Sequence, residues 1–137
     1  MKTLVIYYSY TGKTKIIAEE LAKKESADIV EVEEKKKRSK LNAYVFGSFA
    51  AMRQKKADLE PFNIDFSVYE KIIIAIPIWA GSPALAFNNV VELLPNDKTV
   101  ELIMTSGSGK SSGSVEKSKE LITLRNCNLV KYRDIKT

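Results

Sequence analysis

The feature that most constrains the fold is an alternation of apolar runs with amphipathic segments along the chain. Residues 4–8, 71–76 and 99–105 are rich in apolar and β-branched side chains, which is typical of strands buried on both faces of a parallel sheet. Shorter runs at 28–32 and 128–135 predict two more strands. Apolar residues at helical spacing predict helices, which we place from residue 15 for about two to three turns and at 41–56, 83–94 and 115–125. The alternation predicts an α/β fold in which helices cover both faces of a parallel sheet.

The length of 137 residues fits a single domain, which we expect to span residues 1–137. The chain contains no histidine, which excludes Ser-His-Asp and Cys-His nucleophile relays and histidine-ligated metal sites. Its one cysteine, Cys127, cannot form an internal disulfide and is expected to be a small buried residue. We therefore predict neither catalytic side chains nor a metal site, so any chemistry would come from a cofactor.

The net charge of +5 is concentrated in one segment. Residues 35–56 hold eight of the 22 basic residues and none of the 17 acidic ones, so the rest of the chain is mildly acidic. Such a run is usually a solvated face, and the sharper hypothesis is a docking site for an acidic partner or a phosphate group. Nucleic-acid binding is not expected, because the run has no aromatic residue before Tyr44 and no groove-reading motif.

The apolar stretches also bear on localisation. None of them is long enough to span a membrane, so integral membrane association is not expected. Residues 4–8 are too short for the core of a signal peptide, and no cleavage site of small residues follows them. The sequence therefore predicts a cytoplasmic protein.

The loop after the first strand is dense in hydroxyl groups and opens a helix. It consists of Ser9, Tyr10, Thr11, Gly12, Lys13 and Thr14. Backbone N–H groups at a helix start, with Ser and Thr hydroxyls beside them, form an anion site, and glycine lets the backbone wrap closely. The alternative is an ordinary helix N-cap, but this density of hydroxyls favours phosphate binding. A Walker A motif does not fit, because it requires a glycine where Tyr7 stands.

A second loop follows the clearest buried strand, at the edge where open α/β sheets bind ligands. It consists of Pro77, Ile78, Trp79, Ala80 and Gly81. We expect Pro77 to end the strand and Pro83 to lie in the first turn of the next helix. Trp79, the single tryptophan, is expected to stack on a flat ligand, with core packing as the alternative. The turn through Ala80 and Gly81 is expected to be of type I or II, so that the peptide between them can flip.

A third loop follows the strand at 99–105 and is made of small residues. Its first residues are Thr105, Ser106, Gly107, Ser108 and Gly109. Small side chains allow backbone amides to approach the edge of a planar ring, and the alternative is a flexible surface loop.

These three loops resemble those of the flavodoxin-like superfamily, and the chain is most similar to its short bacterial members. Residues 9–14 fit the phosphate loop of that family, residues 77–81 resemble the loop that covers one face of the flavin, and residues 105–109 resemble the loop at the ring edge. The resemblance covers nearly the whole chain. It implies a doubly wound, five-stranded parallel sheet in the order 2-1-3-4-5 and non-covalent flavin mononucleotide (FMN) bound by the three loops. Three departures from electron-transfer flavodoxins stand out: a chain that is not strongly acidic, no tyrosine in the third loop, and no C-terminal helix after the last strand.

The leading functional hypothesis is an FMN-binding redox protein that transfers electrons to or from a partner protein. The alternative is an NAD(P)H-dependent FMN oxidoreductase that acts on quinones or similar acceptors, so the sequence leaves open whether the protein is an enzyme. A second alternative is a flavodoxin-like binding module without redox function. The intact hydroxyls of the first loop and the presence of Trp79 argue against it.

Overall fold

The computed structural model describes residues 2–35 and 56–137. Within these ranges the strands are β1 (Thr3–Tyr7), β2 (Asp28–Glu31), β3 (Lys71–Trp79), β4 (Ser82–Pro83), β5 (Thr99–Ser106) and β6 (Asn128–Lys136). The helices are α1 (Lys13–Glu25), α2 (Ala86–Leu93) and α3 (Val115–Leu124). Two short 3-10 turns are found at Phe66–Val68 and Ser112–Ser114.

Five of these strands run parallel in one sheet, in the order β2-β1-β3-β5-β6, and the short β4 pairs antiparallel with β3. The registers align the apolar runs across the centre of the sheet, where Ile6 lies beside Ile74 and Ile74 beside Leu102. When β4 is left out of the count, this is the order 2-1-3-4-5. The predicted α/β fold and strand order are therefore confirmed.

Alternate residues of the central strands fill two cores, one on each face of the sheet. The core on the side of α2 and α3 includes Ile72, Ile74, Leu102, Phe87 and Ile122. The core on the side of α1 includes Val5, Ile73, Ile103, Ala18 and Ala22. Because helices cover both faces, the central strands carry long apolar runs such as Leu4–Tyr7 and Ile72–Ile76 that do not alternate with polar residues.

Helix α1 begins earlier and is longer than the sequence predicted, since it spans Lys13–Glu25. Its buried stripe consists of Thr14, Ala18 and Ala22, which are spaced by four residues. Ile16, one of the apolar residues whose spacing predicts this helix, is nevertheless 60% exposed. At about 100° per residue, Ile16 lies on the opposite side of the helix from both Thr14 and Ala18.

The prediction that Pro77 ends a strand is wrong, because β3 continues to Trp79 and turns back through β4. The carbonyl of Ala75 accepts from the N–H of Tyr8 at 3.2 Å, so Ala75 faces β1. Pro77, two residues further, faces the same side, where β1 has already ended. Its missing N–H therefore costs no hydrogen bond of the sheet, while its carbonyl accepts from the N–H of Ala84 at 2.9 Å.

Pro83 was expected in the first turn of a helix, and this expectation is also wrong. Pro83 lies in β4, opposite Ile78 of β3, and α2 begins at Ala86. The helix predicted at 41–56 falls almost wholly outside the described residues. Within the described part of the chain, no helix has both the length and the apolar character needed to cross a membrane.

Candidate functional site

Three loops meet at the carboxyl edge of the sheet, after β1, β3 and β5. The first and third are joined by a hydrogen bond between the hydroxyls of Thr14 and Thr105, whose oxygens are 2.8 Å apart. The first and second are joined by the rings of Tyr10 and Trp79, with centroids 6.2 Å apart and planes at 88°. The structure thus brings together the three segments that the sequence predicts to form one site.

The predicted site residues differ in how much of each is accessible. In the first loop Thr11 and Lys13 are exposed, Thr14 is buried, and the half-buried residues are Ser9, Tyr10 and Gly12. In the second loop the half-buried residues are Pro77, Ile78 and Trp79, and the exposed ones are Ala80 and Gly81. In the third loop Thr105 is buried, Ser106 and Gly109 are half-buried, and the exposed residues are Gly107 and Ser108. The two buried threonines therefore hold loops together, while the others border solvent.

The first loop leaves the start of α1 without a side-chain cap. Gly12 occupies the N-cap position with a φ of 97°, a left-handed value that favours glycine. Its N–H donates to Ser9 Oγ at 3.0 Å, which closes the loop on itself. No side chain caps the helix, and its first turn contains no acidic residue. The positive end of the helix dipole and the first amides of α1 are thus available to an anion.

The half-buried indole of Trp79 packs edge to face with two tyrosines. Its centroid lies 5.9 Å from that of Tyr8 at an interplanar angle of 80°, in addition to the contact with Tyr10. It also packs against the buried pair of Leu85 and Ala57. Trp79 therefore has the packing role that is the alternative expectation, and it lies beside Tyr10 of the first loop.

The turn through Ala80 and Gly81 is not of type I or II as expected. Both residues have positive φ, 49° and 83°, and the flanking Trp79 and Ser82 pair across a two-residue hairpin. Hairpins of this length favour type I′ turns, whose twist matches that of the strands. A flip of the peptide from type I′ gives type II′, which places Ala80 in a conformation that glycine adopts far more easily. The expected flip is therefore opposed by the side chain of Ala80.

The third loop is fastened to the end of β6. The N–H of Thr137 donates to the carbonyl of Ser106 at 2.8 Å. Gly109 has a φ of 71°, and a Cβ atom placed on it would lie 2.9 Å from the Cβ of Lys136. The N–H of Gly109 donates to Ser106 Oγ at 2.9 Å. The composition alone suggested a flexible loop as the alternative, and these contacts instead give its backbone a defined place.

The chain matches solved bacterial flavoproteins over nearly its whole length. A flavoprotein from Lactobacillus acidophilus NCFM, crystallised in complex with FMN, matches with a TM-score of 0.79 and 25% identity, over 96% of this chain and 91% of its own. A protein from Bacteroides eggerthii DSM 20697 matches with a TM-score of 0.84 and 23% identity, over 96% and 86%. A flavodoxin from Streptococcus pneumoniae TIGR4 matches with a TM-score of 0.55 and 11% identity, over 100% and 87%.

The chain has a flavodoxin-like fold. No protein-family model matches the sequence, and no curated protein matches it. The resemblance inferred from the three loops is therefore confirmed by structural similarity, although the sequence identity to this flavoprotein is only 25%.

An acidic cleft of about 730 Å³ lies beside the first loop of this flavodoxin-like fold. It adjoins the end of β2 and is lined by Tyr8, Ser9, Tyr10, Thr11, Gly12, Lys15, Glu31, Glu33, Glu34, Lys35 and Glu60. Neither Trp79 nor the third loop lines it. Four glutamates and two lysines line it, so the cleft carries more acidic than basic side chains.

These glutamates are not among the predicted site residues, although some of them carry a recognisable signal. Glu33 and Glu34 lie just after β2, separated from it by Val32, and the carboxyl end of β2 belongs to the same edge of the flavodoxin-like sheet. The hydroxyl of Tyr8 donates to Glu34. Burial, and next the nearby carboxylate of Glu31, raise the pKa of Tyr7 to about 12. The β2 side of the edge is thus the acidic side.

Proposed function

We propose that the chain binds FMN non-covalently at the carboxyl edge of its sheet and acts as an electron-transfer protein of the flavodoxin type. The bound flavin would supply the redox chemistry by carrying one or two electrons. The side chains and amides of the three loops would bind it, orient it and limit access of water.

The observation that carries this proposal is the uncapped start of α1. The helix begins at Gly12 with no side-chain cap and no acidic residue in its first turn, in a loop bordered by the hydroxyls of Ser9 and Thr11. Such a start is suited to a phosphate monoester, which would accept from the free amides and hydroxyls. A structurally similar protein was crystallised in complex with FMN, a ligand with such a phosphate.

The other two loops supply complementary surfaces for a flat ring. Trp79 offers an aromatic face beside the first loop, and the third loop offers backbone amides whose neighbouring side chains are small. Thr14 and Thr105 join the first and third loops through buried hydroxyls, so the phosphate and ring ends of the site are held at a fixed separation. A rigid separation favours one ligand length over others.

The decisive experiment is reconstitution of the purified chain with FMN, followed by desalting and an absorption spectrum. We expect retained flavin bands and quenched fluorescence of Trp79, which is the single tryptophan. Riboflavin, which lacks the phosphate, serves as the matched control and should be retained more weakly. A colourless protein whose tryptophan fluorescence does not respond to FMN would overturn the proposal in favour of a non-redox binding module.

A second candidate function is an NAD(P)H-dependent FMN oxidoreductase acting on quinones or similar acceptors. It is favoured by the exposure of Gly107 and Ser108 in the third loop, since hydride transfer requires access to the ring. Mixing the FMN-loaded protein with NADPH under anaerobic conditions separates the two functions. Rapid bleaching of the flavin with turnover of an added quinone identifies an enzyme, whereas a carrier is reduced only when a reductase is also present.

The partner of the electron carrier would be a redox protein. The basic segment 35–56 is a proposed docking site for an acidic partner, and most of it falls outside the described residues. A salt titration of the electron-transfer rate tests this, because attraction between opposite charges weakens as ionic strength rises.

A further inference from the structure

A chain of four polar side chains lies behind the third loop, between the loop and β6. Ser111 and Ser114 are buried, each with 4% of its surface exposed. The hydroxyl oxygens of Ser111 and Tyr132 are 2.7 Å apart. Ser111 Oγ also donates to the carboxylate of Asp134, and the hydroxyls of Ser114 and Tyr132 are in hydrogen-bond contact. None of these four residues is among the predicted site residues, which in the third loop are residues 105–109.

The carboxylate sets the direction of this hydrogen-bond chain. A carboxylate accepts but does not donate, so Ser111 gives its proton to Asp134 and its oxygen accepts from Tyr132. The hydroxyl of Tyr132 then accepts from Ser114. The hydroxyls of Ser114 and Tyr132 also lie 3.2 and 3.3 Å from the carbonyl oxygen of Ser111, and networks of this kind restrict the groups they connect.

The network includes Ser111, which directly follows residues 106–110 of the third loop. Residues 106–110 consist of serine, glycine and one lysine, a composition that behaves as a flexible chain unless it is held. Its beginning is tied to Thr137 and its middle rests against Lys136. The end of the loop is held by Ser111, whose buried side chain forms hydrogen bonds with the side chains of Tyr132 and Asp134.

We infer that Tyr132 and Asp134 are positioning residues that preorganise the third loop for the flavin ring; this inference rests on the proposed function. A loop that is already ordered pays little conformational entropy when the ligand binds. Both residues act through Ser111 and need not touch the flavin. Loosening them weakens contacts to the ring and leaves contacts to the phosphate unchanged.

The test compares four variants for their dissociation constants with FMN and riboflavin, measured by quenching of Trp79. Tyr132→Phe and Asp134→Ala each remove one end of a hydrogen bond, and we expect about tenfold weaker binding of both ligands. Tyr69→Phe and Asp28→Ala are matched controls, because Tyr69 donates to Asp28 at 2.6 Å near the amino ends of the strands. These controls should leave both dissociation constants unchanged. Unchanged affinities in Tyr132→Phe and Asp134→Ala would overturn the inference.

Asp134→Asn separates positioning from a direct effect of charge. The amide oxygen of asparagine still accepts from Ser111, so this variant should bind flavin nearly as well as the wild type. If the negative charge itself mattered, Asp134→Asn and Asp134→Ala would change the affinity and the reduction potential alike, and the positioning role would be contradicted.

Hydrogen exchange without flavin gives a readout that does not depend on the proposed function. The amides of Gly109 and Lys110 donate to Ser106 and Ser108 within the loop, and Tyr132→Phe should speed their exchange while the rest of the sheet stays protected. Unchanged exchange overturns the inference even if FMN binds. A wild-type chain that binds no FMN overturns the proposed function and with it the role toward the ring, whereas faster exchange in Tyr132→Phe would still support the hold on the loop.

Discussion

Ala80 illustrates how a single residue can hold a turn in a costly conformation. Its φ of 49° is left-handed, a region in which the Cβ atom crowds the following carbonyl and costs roughly 1–2 kcal/mol. The two-residue hairpin between β3 and β4 requires positive φ at both central positions. Glycine meets this requirement at position 81, and alanine meets it at position 80 with strain.

We expect Ala80→Gly to raise the free energy of unfolding by about 0.5–1 kcal/mol, because relief of crowding exceeds the entropy that glycine adds to the unfolded chain. Urea unfolding measures the change. Ala84→Gly is the matched control: Ala84 is fully buried and lies outside the left-handed region, so the same substitution should lower stability there. A similar loss in both variants would contradict the strain at position 80.

At the residue scale, the chemical type of the side chains in the loops could be predicted from the sequence, but their hydrogen-bond partners could not. The hydroxyl-rich loop was recognisable from the density of Ser and Thr around Gly12. That Thr14 would bond Thr105, 91 positions away, has no local signal. The same holds for Ser111 and Asp134, because a hydrogen bond across two elements depends on how the strands align.

Helix α1 is an element whose two ends carry opposite electrostatic characters. Its first turn lacks acidic residues, and Lys23 and Lys24 lie in its last turn. Basic residues at the carboxyl end stabilise the helix through its dipole. Acidic residues in the first turn would stabilise it in the same way, and α1 has none. The proposed phosphate site would account for that omission.

Lys13→Glu should therefore change stability and binding in opposite directions. An acidic residue in the first turn stabilises the helix by about 0.3–1 kcal/mol, while its charge repels the phosphate of FMN. We expect a slightly higher free energy of unfolding, weaker FMN binding and unchanged riboflavin binding. Lys24→Glu, at the other end of α1, should lower stability and leave FMN binding unchanged. An FMN affinity unaffected by Lys13→Glu would argue against a phosphate at this helix start.

At the element scale, the central strands were predictable because burial on both faces leaves an unbroken apolar run. The errors came from rules that consider only neighbours along the chain. Pro77 was expected to end a strand, yet its missing N–H faces a side that β1 does not reach. Pro83 suits a helix start, yet it lies in the hairpin strand β4. Both outcomes depend on partner strands.

The stability of the whole molecule at alkaline pH depends on a buried tyrosine that lies beside an acidic residue. Tyr7 is buried with 4% of its surface exposed, and burial, followed by the carboxylate of Glu31, raises its pKa from 10.0 to about 12. The folded state therefore binds the phenolic proton more tightly than the unfolded chain does. Its contribution to stability is complete below about pH 10 and is lost as the pH rises through about 12.

We expect the free energy of unfolding of the wild type to fall more steeply between about pH 10 and pH 12 than that of Tyr7→Phe, which has no proton to lose at this position. Urea unfolding across this pH range measures the difference. Glu31→Gln should keep most of the wild-type slope, since burial is the larger cause of the shift. Parallel slopes for the wild type and Tyr7→Phe would contradict the assignment.

Among the described strands β6 is the outermost on its side of the sheet, and this position decides how copies of the protein meet in concentrated solution. An open edge invites another chain to extend the sheet and so begins polymerisation. Four charged residues lie on β6, namely Lys131, Arg133, Asp134 and Lys136, and a bulge in its pairing with β5 interrupts the register. Two molecules that joined through this strand would have to crowd those charges together. The strand that supports the third loop therefore also resists aggregation, and substitutions chosen to loosen the loop there are best made one charge at a time.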